Sequence, residues 1–118
     1  MIIDNDIDAW RAFPESRWMF NKLFVLTSLG VECGPLGTED PKHFPIWVKP
    51  VVNVWGMGIG AKVYFSPEEV SYEPGMMWMK YLQGASTYSY DVEINEKNEI
   101  ILAYCCHDYH DIYSVLCR

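Results

Sequence analysis

Between Asp8 and Gly30 apolar residues return three or four positions apart, at Trp18, Phe20, Leu23, Phe24, Leu26 and Leu29, which is the spacing of one helix face. Pro14 suits the first turn and Gly30 the position just past the end, so the pattern predicts one helix over roughly 14–29. The period is then lost from Val31 to Pro45, where Gly34, Pro35, Gly37, Pro41 and Pro45 predict a surface loop. Ile46 to Asn53 is apolar and largely β-branched, interrupted by Lys49 and Pro50, and predicts a strand whose proline edge is unpaired or bulged. Gly56, Gly58 and Gly60 follow, and a strand-like run resumes at Ala61 to Phe65. Ser66-Pro67-Glu68-Glu69 has the residues of a helix start, and Pro74-Gly75 ends it early.

Met76 to Leu82 is apolar enough for a buried strand, and Gln83 to Ser86 breaks it. Thr87 to Ile94 alternates polar residues with Tyr and Val, Asn95 to Asn98 is a polar turn, and Glu99 to Cys106 returns, a hairpin by its local signals. The tail from His107 to Arg118 is open between strand extension and a short helix. Together these elements predict an α+β fold, an N-terminal helix packed on a mainly antiparallel sheet of about four or five strands with a Gly-rich loop.

The length of 118 residues agrees with a single domain over 1–118 and leaves no room for a large interdomain cleft. Half the residues are apolar and 21% are charged, the balance of a chain that folds. The net charge of −7 repels phosphate polymers, which argues against duplex-DNA binding. Five Trp, eight Tyr and five Phe fit either a dense small core or a docking face. The adjacent Cys105 and Cys106, with Cys33 and Cys117, do not form the spaced framework of a disulfide miniprotein, and free thiols in a reducing compartment are expected. The acidic N-terminus lacks the pattern of a signal peptide and no run is long enough for a membrane span, so a cytoplasmic location is expected. A homo-oligomer stays open.

The segment from Trp47 to Ala61 carries the most chemistry. Glycines between two strands let backbone N–H groups approach an anion, and Lys49 on the leading strand can add a point charge to the same phosphate. The alternative is a plain strand connection in which the glycines only permit positive φ. Walker A and Rossmann sites are excluded, because no GK[ST] is present and no helix is predicted directly after the glycines.

The order of segments resembles the ATP-grasp superfamily: Val48-Lys49-Pro50, then Gly56 to Gly60, Ala61 to Phe65, Trp78 to Leu82, Gly84, and Tyr88-Ser89-Tyr90-Asp91-Val92, with Asn21-Lys22 and Leu29-Gly30-Val31 upstream. The likeness runs from about residue 20 to residue 106. It implies that Lys49 contacts phosphates, that the glycine loop closes over them and that the later strand lines the base. The site residues it implies are Lys49, Asn53, Gly56, Gly58, Gly60, Lys62 and Lys80, with ATP or ADP as the ligand. Lys80 stands before Tyr81 where the family usually has an acid, and the C-terminal sheet that carries the family's Mg²⁺ ligands has no counterpart before Arg118. The resemblance therefore implies a partial, non-catalytic ATP-grasp-like half-domain. Asn21-Lys22-Leu23, the stretch from Lys49 to Lys62 and the Trp78, Tyr81, Gly84 spacing also resemble bacteriophage proteins, which implies a phage-encoded protein acting in the host cytoplasm.

Other clusters carry blander readings. Cys105, Cys106, His107, Asp108, His110 and Asp111 offer metal-ligating atoms but lack the spacing of a structural zinc site. Asp91 reads as a solvated strand residue or a ligand-facing carboxylate, Asp4, Asp6 and Asp8 as a solvated arm, and Met76 to Met79 as core. Three functions follow: a small nucleotide- or phosphate-ligand-binding protein, an acidic, aromatic-rich protein that binds a host or virion protein, and a subunit of an ATP-dependent ligase-type enzyme.

Overall fold

The computed structural model describes residues 5–55, 58–86 and 88–107. The chain is α+β, and it divides into two compact units, Met1–Tyr81 and Leu82–Arg118.

The single helix expected over 14–29 is two shorter pieces, and a further helix precedes it. Helix α1 spans Asp6–Ala12, and the Asn5 side chain caps it by accepting from Asp8 N at 3.0 Å. Asp6, which is exposed, and Asp8 thus form its acidic first turn, where they complement the helix dipole, and Asp4 of the expected arm lies outside the described residues. A 3-10 helix over Pro14–Phe20 follows, with the proline at its first position as expected. Arg17 Nε donates to Trp10 O at 2.7 Å while its guanidinium lies 4.9 Å from the Trp10 ring centre, tying the two pieces together. Helix α2 spans Lys22–Ser28. The break falls at Asn21, whose side chain accepts from Phe24 N at 3.0 Å. A side chain that takes up a helix N–H starts a new helix and interrupts an old one, whatever the apolar period around it. Helix α2 ends as expected at Gly30, with φ +74°, where Gly30 N donates to Thr27 O and Val31 N to Leu26 O in the double bond of a Schellman motif.

The first unit holds a four-stranded antiparallel sheet of β1 (Cys33–Pro35), β2 (Ile46–Pro50), β3 (Lys62–Tyr64) and β4 (Met76–Lys80), in the order β1-β4-β2-β3. Strand β1 lies inside the segment expected to be loop. Three residues suffice because Gly34 sits opposite Trp78 and Pro35 occupies the outer edge, where a missing N–H costs no ladder bond. Gly34 is required there, since a Cβ would lie 2.9 Å from Trp78 Nε1 and 2.8 Å from Glu39 Oε2. The other strands fall within the expected runs, shortened at their ends, and the brief helix after Phe65 is a 3-10 turn over Pro67–Glu69.

Register sorts the side chains by face, because directly opposed residues share one. Ile46 opposes Tyr64 and Lys80, and Val48 opposes Lys62 and Trp78. Ile46, Val48, Tyr64 and Trp78 on this face form the core, with Leu36, Phe44, Val70 and Met76 packed against them. Trp78 satisfies its indole by donating to Glu39 O at 2.7 Å. The other face carries Trp47, Lys49, Met77 and Met79. Met77 and Trp78, expected as core, are buried on opposite faces. Helix α2 packs on the second face, where Thr27 Oγ1 lies 3.5 Å from Cys33 Sγ and Lys22 N donates to Val51 O at 2.9 Å.

The second unit is the expected hairpin, β5 (Tyr88–Ile94) against β6 (Ile100–His107). Asn95 closes its turn, its Oδ1 accepting from Lys97 N and Glu99 N, and Asn98 adopts φ +61°.

Candidate functional site

The face that carries α2 also carries a cleft of about 190 Å³, lined by Lys22, Trp47, Lys49, Pro50, Asn53, Gly58, Ile59 and Ala61. Each side of it has a local cause. The alternation of β2 turns Trp47 and Lys49 away from the core that holds Ile46 and Val48. Trp47 stacks on Tyr81 with ring centres 5.5 Å apart, which fixes the wall beside Lys49. Asn21 starts α2 at Lys22, and the bond from Lys22 N to Val51 O holds that residue against the end of β2.

The third side is the glycine segment. Asn53 Oδ1 accepts from Trp55 N at 3.0 Å, which turns the chain away from β2. Gly58 and Gly60 hold φ of +63° and +79°, and Ala61 N donates to Gly58 O at 3.0 Å, closing a tight turn back into β3.

The cleft holds two ammonium groups, and no carboxylate is among its described lining residues. Burial pushes the Lys49 pKa below the ordinary lysine value, and the positive charge of Lys22 lowers it further. Lys22 is also pushed down by burial, against an opposing pull from Asp6. Two partly buried cations in one cleft, whose described lining carries no carboxylate, favour the arrival of an anion. A cleft of this size is below the several hundred Å³ that enclose a drug-sized ligand, so it fits a phosphate or diphosphate group and leaves the rest of a larger molecule outside.

The residues expected in one site are divided between two faces. Lys49, Asn53 and Gly58 line the cleft with Lys22. Lys62 and Lys80 lie on the core-bearing face, each opposite a core residue of β2, and both are exposed. Gly60 and Lys62 line a separate hollow of about 130 Å³ together with Ser71 and Glu73, where an acid already faces the lysine. Gly56 lies outside the described residues. Asp91 belongs to the second unit, on β5. Of the Cys and His cluster, Asp108, His110 and Asp111 fall outside the described residues. Among the described residues no group of three or more His, Cys, Asp or Glu side chains is placed to hold a metal ion, and no helix is long and apolar enough to cross a membrane.

Lys22 and Trp47 are among the cleft residues that sequence reasoning left unassigned, with Pro50, Ile59 and Ala61. The available signal was Asn21, a capping residue inside an apolar helical pattern, which marks the next residue as the start of a helix. A wider concavity of about 410 Å³ is lined by Glu32, Cys33, Glu39, Asp40, Lys42 and Trp78, and its three carboxylates against one lysine make it unfit for an anion. Comparison with protein-family models, with curated proteins and with solved structures gives no match.

Proposed function

We propose that this protein binds a small phosphate-bearing ligand, with its phosphate seated between Lys22, Lys49 and the glycine segment, and that it performs no chemistry on it. The observation that carries this reading is the convergence of two partly desolvated lysines in a cleft whose described lining lacks a carboxylate, in a chain of net charge −7. The long-range field repels anions, so the attraction is local and suits a small ligand rather than a phosphate polymer. A nucleoside di- or triphosphate, ATP or ADP foremost, meets the requirement if its phosphates enter the cleft and its base remains outside, the arrangement of a reduced ATP-grasp-like half-site. Asn53 and Gly58 border the phosphate in this reading, and Lys62 and Lys80 take no part.

The test is thermal unfolding of the full chain at fixed ionic strength, with and without pyrophosphate, ADP or ATP. Ligand at about 100 times its Kd adds about 2.7 kcal/mol to the folded state, so the expected result is a rise in Tm that Lys49→Ala abolishes. A rise that survives Lys49→Ala, or no rise with any of the three, rejects the reading.

A further inference from the structure

We propose that Lys49 is a carbamylation site, at which carbon dioxide adds to the side-chain amine and Lys22 holds the carbamate so formed. The carbamate does not depend on the phosphate reading of the cleft, and only its consequence for a phosphate ligand rests on that reading.

An ordinary lysine is almost wholly protonated at neutral pH, and an ammonium has no electron pair to offer carbon dioxide. Lys49 stands apart from Lys62 and Lys80, the exposed lysines of the same sheet. It is half-buried, Trp47, Pro50, Ile59 and Ala61 give its cleft apolar walls, and among the described residues it takes part in no ion pair. Lys22 lines the same cleft. Such surroundings penalise a charged Nζ, and a lysine partly desolvated beside another cation is the kind that serves as a nucleophile. The Lys49 pKa is lowered accordingly, first by burial and then by Lys22.

Asp6 decides which of the two lysines reacts. It pulls Lys22 back toward its charged form, whereas the charged group that acts on Lys49 is Lys22 itself. Lys22 therefore keeps its proton and Lys49 is the one that gives a proton up.

The step balances without a further reactant. The neutral Nζ gives its electron pair to the carbon of carbon dioxide, an N–C bond forms as one C–O π bond breaks, and the nitrogen then releases a proton to water. The product carries a negative charge where the lysine carried a positive one, so a pair of like charges becomes a pair of opposite ones. In a cleft whose described lining has no carboxylate, that change is favourable. Carbon dioxide is small and uncharged, so it fits a cleft of about 190 Å³ and is not repelled by a chain of net charge −7. With the carbamate in place, the cleft loses one of its two cations and gains an anion, which closes it to phosphate.

The full chain is equilibrated with bicarbonate and carbon dioxide, ethylated with triethyloxonium, and read by peptide mass spectrometry. An ethyl carbamate is expected on Lys49, and not on Lys22, Lys62 or Lys80. Lys22→Met is expected to lose the Lys49 adduct and Lys22→Arg to keep it, which separates the counter-charge from the fold. Titration with pyrophosphate in buffer free of carbon dioxide checks the phosphate reading by itself, and bound pyrophosphate is expected to suppress the adduct. An adduct on Lys49 in a chain that binds no pyrophosphate supports the carbamate and rejects the phosphate reading. No adduct on Lys49, an equal yield on Lys62 and Lys80, an adduct that survives Lys22→Met, or one that bound pyrophosphate leaves unchanged would each overturn the proposal.

Discussion

Ile46 and Val48 alternate with Trp47 and Lys49 along one strand, and the two pairs end in different surroundings. On one face Ile46 and Val48 meet Tyr64 and Trp78, and Leu36, Phe44 and Val70 pack against them to form the core. On the other, Trp47 and Lys49 stand beside α2 and the glycine segment, where Lys49 keeps a cation only half in water. The core face gains from burial, whereas the lysine face gives up stability to hold two like charges near each other. One strand therefore supplies both the scaffold and the candidate site, and the two faces should respond differently to substitution.

The largest expected effect is on the core face. Trp78→Ala removes a buried indole and its bond to Glu39 O, and should cost about 4 kcal/mol by denaturant unfolding. Gly34→Val, which forces a side chain into the space of Trp78 and Glu39, should cost about 2 kcal/mol in the same assay. A smaller loss, about 1 kcal/mol, is expected for Asn21→Ala, which removes the cap that starts α2. It should also weaken phosphate binding, because the cap sets the position of Lys22. If Asn21→Ala loses stability but binds phosphate as before, α2 does not position the cleft.

The smallest stability effect has the opposite sign. Lys49→Met removes a half-buried charge and keeps the aliphatic stem, so it should unfold at slightly higher denaturant than the wild type. The pH dependence follows from the direction of the shift. The Lys49 pKa is lower folded than unfolded, so between the two values the unfolded chain binds more protons and wild-type stability rises with pH. The advantage of Lys49→Met should therefore be full at neutral pH and should close as pH climbs through the lowered lysine value toward 10.5. A stability difference that stays constant across that range would mean that desolvation of the lysine is not its origin.

The strands were legible because β-branched and apolar runs are bounded by Pro, Gly and Asn, and local rules act within those few residues. The hairpin from Tyr88 to His107 is the clearest instance, with Asn95 and Asn98 supplying the turn. The helix from 14 to 29 was not legible as two pieces, because the apolar period continues across Asn21 while a single side-chain bond breaks the backbone there. Strand β1 was hidden for a different reason: its three residues are held by pairing with a strand more than forty positions later, which Cys33 opposite Met79 illustrates. The candidate site was half legible. Lys49, Asn53 and the glycines stood together in the sequence, but the face on which Lys62 and Lys80 fall depends on the register of β3 and β4 against β2. Lys22 enters the cleft through a tertiary bond to Val51 that no local pattern announces.

The central claim is that the lysine face, and not the core face, takes a phosphate. Calorimetric titration of the full chain with pyrophosphate at fixed ionic strength tests it most directly, in the wild type and in Lys22→Met, Lys49→Met and Lys62→Met. One site per chain is expected, with affinity lowered at least about tenfold, or about 1.4 kcal/mol, in Lys22→Met and Lys49→Met and unchanged in Lys62→Met. No binding by the wild type, or an equal loss in Lys62→Met, would contradict the account.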